Sequence, residues 1–253
     1  GQFERIWRLP DTAQLPPVAL EGGVVFAMPG RLHISAVSNA NAEDYRAAQT
    51  QNQQEPWKSL TAVSPTQVIA VNADNQFVRV EYRATPRPQL AEISVTKIPY
   101  DIRVAPAVSG GSLFLASTEG KLVMMQAATL EVLSEIDLGM IPSATPKVAG
   151  EFVFVELANK EVRIFRIADG LPAVASFPLD GYGLAGNPMK LPDNGYLIAR
   201  TDGKFIRMTA DGTISDSGVY LGQAIQQGPL DINGQILVVA VDGSLYQLDA
   251  DVG

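Results

Sequence analysis

At 253 residues with 46% hydrophobic side chains, the chain has ample material for a folded core and falls outside the disordered class. Its 19 Lys and Arg against 27 Asp and Glu leave a net charge of −8, which argues against a nucleic-acid partner and favours neutral or basic ones, because phosphate neutralisation needs clustered cations. No apolar run reaches the ~20 residues of a membrane span, and a sequence without cysteine has no disulfides, thiolate nucleophiles or cysteine metal sites.

Gly1 is not a natural start residue and reads as the remnant of tag cleavage, which leaves room for a trimmed export signal or further domains. Phe3 to Leu9 is strand-like. From there one phrase recurs six times: an apolar run, a tight turn, then a run of alternating polarity. The turns are Pro29-Gly30, Asp74-Asn75, Glu119-Gly120, Asn159-Lys160, Asp202-Gly203 and Asp242-Gly243, spaced 45, 45, 40, 43 and 40 residues apart. Repeats of this length signal solenoids, propellers or arrays. The runs before the turns (Val24 to Met28, Gln67 to Val71, Ser112 to Ser117, Phe152 to Leu157, Gly195 to Arg200, Gln235 to Val241) predict buried strands. Each turn predicts a hairpin of type I′, which takes positive φ at both central residues.

A proline stands 14 residues before the turn at Pro16, Pro106, Pro146 and Pro229, with Pro188 one residue off and Thr61 in the remaining copy. At the first residue of a strand a missing N–H is tolerated, so these mark where each innermost strand begins. A fourth strand follows each alternating one, as in Glu131 to Leu138. The sixth copy ends after its third strand, and Phe3 to Leu9 is expected to supply the fourth, hiding an edge. The prediction is a single all-β domain over residues 1–253: a six-bladed β-propeller of four-stranded antiparallel blades, closed by the N-terminal strand. Residues 40–56 interrupt the pattern. Asn41 to Gln49 predicts a short helix, with a glutamine-rich mobile loop after it.

Gly110 to Leu122 (Gly-Gly-Ser-Leu-Phe-Leu-Ala-Ser-Thr-Glu-Gly-Lys-Leu) resembles the repeat of the quinoprotein, or PQQ-like, propellers. Val241 to Ala250 is similar, and Arg5-Ile-Trp7 looks like the repeat's terminal tryptophan. The resemblance implies the propeller fold and, for enzymatic members, PQQ and calcium. The chain departs from those members in having six units rather than eight, Ser134 at a tryptophan position, no vicinal cysteines and no recognisable Glu-Asn-Asp calcium set. The expectation is therefore a non-enzymatic member without cofactor or metal; fold alone does not carry function.

His33, the single histidine, lies opposite in phase to Leu32 and Ile34 and reads as a structural or surface residue. The turns Asp74, Glu119, Asp202 and Asp242 form an acidic rim, although Asp-Gly is good turn chemistry in itself. The connections leading into the innermost strands carry Trp57, Lys58, Tyr100, Arg103, Tyr182 and Gln226, a basic pair with aromatics of the kind that anchors interfaces. These residues are expected to line the channel mouth and bind a protein or peptide, within a larger exported or envelope protein (periplasm or cell envelope), without nucleic-acid binding or membrane insertion. A small-molecule ligand stays open. The alternatives are a PQQ- or calcium-dependent oxidoreductase and a carbohydrate-binding or carbohydrate-cleaving propeller using Asp101 and Asp180, which would take paired carboxylates at glycosidase spacing.

Overall fold

The computed structural model describes residues 8–36, 42–46, 56–168 and 170–249, and every regular element among them is a β-strand. Sheet 1 comprises Val18–Leu20 (β1), Gly23–Met28 (β2), Arg31–Ala36 (β3) and Tyr45–Arg46 (β4). Sheet 2 comprises Trp57–Ala62 (β5), Gln67–Asn72 (β6), Gln76–Arg83 (β7) and Gln89–Lys97 (β8). Ala107–Ser109 (β9), Ser112–Ala116 (β10), Lys121–Gln126 (β11) and Val132–Asp137 (β12) make sheet 3. Lys147–Ala149 (β13), Phe152–Glu156 (β14), Glu161–Arg166 (β15) and Ala173–Pro178 (β16) make sheet 4. Sheet 5 holds Met189–Lys190 (β17), Tyr196–Ala199 (β18), Lys204–Met208 (β19) and Ile214–Tyr220 (β20), and sheet 6 holds Ile225–Ile232 (β21), Gln235–Ala240 (β22) and Leu245–Leu248 (β23). Strands neighbour one another in sequence order in every sheet, and sheet 6 has three among the described residues. The predicted N-terminal strand falls largely on residues 3–7, outside the described residues.

The turns carry the repeat. In five of them the left-handed residue is the last of a three-residue loop: Asn75 (φ 59°), Gly120 (82°), Lys160 (63°), Gly203 (97°) and Gly243 (87°). Each donates its N–H back three residues, for example Gly120 to Ser117 O at 3.2 Å and Gly203 to Arg200 O at 3.1 Å, while Ser117 and Arg200 donate to Lys121 O and Lys204 O at 2.9 Å. This is a type I turn closed by a left-handed residue, and it corrects the expected type I′, which would take positive φ at the preceding residue too. The loop is one residue longer than a two-residue hairpin, so its acidic position needs no unusual backbone. A second bond recurs: Ile98, Leu138, Leu179 and Leu221, just beyond the fourth strands, donate to the carbonyls of Asn75, Gly120, Lys160 and Gly203.

Pro106, Pro146 and Pro188 stand immediately before β9, β13 and β17, as the missing N–H requires. Pro229 instead lies inside β21, where the register shifts between Gln227 and Leu230 and the ladder tolerates it. Residues 42–46 correct the helix expectation. Tyr45 pairs with Leu32, its ring is buried in the core, and its hydroxyl donates to Glu92 Oε2 at 2.6 Å. Burial of one aromatic outweighs the weak helical preference of its neighbours. The remaining residues of the predicted helix and the glutamine-rich stretch lie outside the described residues.

The chain divides into two compact units, one running to Leu113 and taking Gln126–Glu131, the other taking Phe114–Met125 and everything from Val132. In the first unit Val25, Ala27, Leu32 and Ile34 pack against Trp57, Val68, Ala70, Val78 and Val80. In the second, Phe154 and Ile164 pack against Tyr196, Ile198 and Met208, and Leu197, Ala199 and Phe205 pack against Ile225, Ile236 and Val238. Strand β18 is thus covered on both faces, which is why its sequence is a continuous apolar run rather than an alternation.

Candidate interaction face

In the first unit the four connection residues Trp57, Lys58, Tyr100 and Arg103 separate by burial. Trp57 opens β5 rather than lying in a loop, and it is only 6% exposed. Its Nε1–H donates to Met28 O at 2.9 Å and to Arg31 O at 3.2 Å, so the indole is a core side chain that fastens sheet 2 to the β2–β3 turn. Tyr100 is likewise buried. Lys58 lies in β5, where its Nζ donates to Asn75 Oδ1 at 2.7 Å and pairs with Asp101 at 2.9 Å. Arg103 is exposed. The mouth-lining role expected of Trp57 and Tyr100 is corrected for one reason: sequence places a side chain in a connection, but packing decides whether it faces solvent.

In the second unit three of the expected residues converge on one that sequence reading missed. Arg200, the first residue of the fifth turn, has a side chain 5% exposed. Its Nη1 pairs with Asp180 Oδ2 at 2.6 Å, while Nη2 and Nε grip Asp202 at 2.7 and 3.1 Å. Its guanidinium lies 5.3 Å from the centroid of the Tyr182 ring, within cation–π range. Burial, which by itself would lower the Arg200 pKa, is outweighed by the hydrogen bonds that Arg200 donates to Asp202 and Asp180, and the value rises. Burial likewise works to raise the Asp202 carboxyl, but Arg200 and the Lys204 N–H hold it below the usual range. The result is a rigid plinth under Tyr182, which stands 46% exposed. Ile141 and Val241, 54% and 65% exposed, stand beside the fourth and sixth turns. Ala158 N–H donates to Ile141 O, which fastens Ile141 to the fourth turn, and Val241 N–H donates to Ala224 O, which fastens the sixth turn to the connection before β21. Gln226 is exposed just beyond Ala224, at the start of β21.

The acidic turns act first on their own loops. Asp202 Oδ1 accepts from Lys204 N at 3.3 Å and Asp242 Oδ1 from Ser244 N at 2.9 Å. The Ser244 N–H holds the Asp242 carboxyl below its ordinary range. Asp74 and Glu119 are exposed, and their N–H groups donate to Asn72 Oδ1 and Ser117 Oγ. Asp101 and Asp180 each pair with a cation of their own unit, Lys58 and Arg200.

His33 is more embedded than its sequence context suggested. Its Nδ1 lies 2.8 Å from Asp44 Oδ1 and its Nε2 3.4 Å from Ser35 Oγ, in the order of a nucleophilic triad. Asp44 Oδ1 also accepts the Ile34 N–H at 3.4 Å, where the two-residue β4 has run out. Ser35 is buried within β3. The carboxylate thus substitutes for a missing stretch of outer strand, and the cluster is a clasp. Asp44→Ala should cost about 1–2 kcal/mol, the cost of orphaning two part-buried donors; an unchanged urea midpoint would contradict the clasp.

Glu156, at the end of β14, is a second residue that sequence reading passed over. It is 6% exposed, and its Oε1 accepts the Leu184 N–H at 3.3 Å. Burial raises its pKa, against the smaller opposing pull of Lys147 and the Leu184 N–H. Burial also lowers that of Lys147. A carboxyl raised in the fold contributes most when protonated and loses that contribution as pH rises through its folded value. Glu156→Gln is therefore expected to raise stability at neutral pH by ~1 kcal/mol, with the gain vanishing in acid. A loss at neutral pH in thermal melts would contradict the burial argument. The sequence signal was available: a carboxylate inside the apolar run Phe152 to Leu157.

No protein-family model matches the chain, and no curated protein matches it. Solved structures do. The structure of BamB from Moraxella catarrhalis is 18% identical, with a TM-score of 0.64 over 94% of this chain and 70% of that one. The Cps50 (Swd1) β-propeller domain from Myceliophteria thermophila is 13% identical, with a TM-score of 0.56 over 90% and 80%. BBS1N, solved in complex with ARL6DN, is 14% identical, with a TM-score of 0.63 over 94% and 77%. At these identities the likeness is one of fold: the chain has a β-propeller fold, all-β and built from four-stranded antiparallel sheets.

Proposed function

We propose that the chain is a non-catalytic propeller scaffold of the PQQ-like repeat type, one domain of six blades. Phe3 to Leu9 completes the last blade beside β23. The scaffold presents its turn-and-connection end to a protein or peptide partner, within a larger exported or envelope protein. The observation that carries the reading is the placement of Ile141, Tyr182 and Val241. These three exposed apolar side chains stand beside successive turns, on backbone pinned by hydrogen bonds and an ion-pair plinth. Exposed apolar groups on rigid supports, rimmed by charge, are what interface anchors require, because little entropy is lost on docking. Arg103, Lys58 and Gln226 supply polar contacts, and Asp74, Glu119, Asp202 and Asp242 the rim. BBS1N, which shares the fold, was solved in complex with ARL6DN, in keeping with a binding use of the fold.

The test compares partner capture by the wild type, by a variant carrying Ile141→Ser, Tyr182→Ala and Val241→Ser, and by an outer-strand control carrying Leu133→Ser and Tyr220→Ser. Capture lost only in the first variant, at unchanged melting temperature, is the expected result. Capture that survives it, or a melting rise with PQQ plus calcium, would overturn the reading.

A further inference from the structure

Asparagine precedes glycine at two places in the chain, Asn194-Gly195 and Asn233-Gly234. Both dipeptides lie between the first and second strands of a sheet, in sheets 5 and 6. A glycine after asparagine leaves the backbone nitrogen uncrowded, so that nitrogen can reach the side-chain amide carbon. Both asparagines are left-handed, at φ 67° and 56°. In that region ψ is about +47°, which turns the next nitrogen away from the side chain. Reaction therefore waits on the turn opening.

The two turns differ in what holds them shut. Gly195 is buried, and a Cβ there would stand 3.1 Å from Met208 O. Its N–H donates to Asp193 Oδ1 at 3.0 Å, and Arg207 grips the other oxygen of that carboxylate. Leu191 N–H donates to Gly195 O at 2.8 Å and Asn194 N–H to Leu191 O at 3.0 Å. Asn233 and Gly234, by contrast, are the whole loop of a two-residue hairpin, with Ile232 paired to Gln235. Positive φ at both makes it a type I′ turn. Asp231 to Gln235 are all exposed, and nothing lies within 4 Å of a Cβ placed on Gly234. The Gly234 N–H donates to the exposed Asp231 Oδ1 at 2.8 Å. An exposed hairpin tip of this kind opens locally at low cost, whereas Gly195 is tied to buried backbone and an ion pair.

We propose that Asn233 is a site of spontaneous deamidation through a succinimide, and that the fold protects Asn194 from the same reaction. When the turn opens, Gly234 N gives its proton to solvent and bonds Asn233 Cγ. The Cγ–Nδ2 bond breaks and ammonia leaves, carrying a proton back from solvent. Water then opens the ring: attack at Cγ yields aspartate, and attack at the main-chain carbonyl carbon yields isoaspartate. One water is consumed, one ammonia is released, and nothing is oxidised or reduced. Isoaspartate routes the main chain through the side-chain methylene, lengthening a loop whose flanking residues are already paired. Chains modified in this way lose the closed tip of the β21–β22 hairpin. Asn233 lies at the far end of β21 from Gln226, so the modification leaves the proposed binding face untouched.

Incubating the whole folded chain at mildly alkaline pH, with peptide mass spectrometry at intervals, tests this. Asn233 should convert to the acid about tenfold or more faster than Asn194, because reaction through an open turn scales with the population of that open form. In urea the two should convert at similar rates, since the fold makes the difference. Asn233→Asp carries the new charge on a normal backbone, and Asp-Gly keeps the type I′ turn. It should melt as the fresh wild type does, while the aged fraction carrying isoaspartate melts lower. The assignment is overturned if Asn194 keeps pace with Asn233 in the folded chain, or if folded Asn233 stays intact over the time in which urea-unfolded chain converts it. Unequal rates in urea would overturn the protection by the fold. An isoaspartate fraction that melts with Asn233→Asp would overturn the effect on the hairpin.

Discussion

Trp57→Ala is expected to cost about 3–5 kcal/mol, the largest single loss foreseen in the first unit. The substitution removes a large ring from the cluster of Val25, Leu32, Val68 and Val80, and it strands the carbonyls of Met28 and Arg31, which share its one N–H. Neighbouring strands are held by their ladders and cannot close the cavity. Trp57→Phe divides the effect, keeping most of the volume while losing the donor, at ~1–2 kcal/mol. Urea unfolding followed by circular dichroism would measure both. An alanine variant with the wild-type midpoint would show that the indole is not a core element and would return it to the list of binding residues.

Arg200→Met should lose ~2–4 kcal/mol from the second unit, because removing the cation leaves two carboxylates facing each other without compensation. The Asp180 share is discounted, since that side chain is 62% exposed and solvent screens it. Most of the loss falls on Asp202. Its carboxyl is held below the usual range in the fold, so its contribution is present above the unfolded value and lost as pH falls through the folded one. The gap between wild type and variant should therefore narrow in acid. The double variant Arg200→Met, Asp202→Asn should recover part of the loss, which a double-mutant cycle reads directly. A gap independent of pH would show that the guanidinium acts by packing alone. The same substitution removes the support beneath the Tyr182 ring, so partner capture should weaken with stability in this variant, unlike in the loop-face variant.

The recurring turns show why so much of the architecture was legible. A left-handed residue closing a hairpin is a demand met within five residues, and Asn75, Gly120, Lys160, Gly203 and Gly243 meet it without reference to anything distant. The strand before each turn was placed to within about a residue for the same reason, because pleat alternation and turn chemistry are local. The misplaced candidates share the opposite property. Trp57 and Tyr100 sit where a loop was foreseen, yet the neighbouring backbone and core claim them. Tyr45 lies among helix formers, but its ring enters the core and its strand pairs with β3.

The site residues divide in the same way. Tyr182, Asp180 and Asp202 are unrelated in the sequence pattern, and what unites them is Arg200, 20 residues from Asp180 and joined to it by the packing of a turn against a connection. By itself the sequence determined the repeat, the strands, the turns and the places where prolines are tolerated, because each of these is settled by contacts within a few residues. Tertiary structure alone decided which face of each strand is buried and which charges, like Arg200 with Asp180 and Asp202, close into pairs. Those outcomes depend on what the next sheet places opposite, and local chemistry contains no term for it.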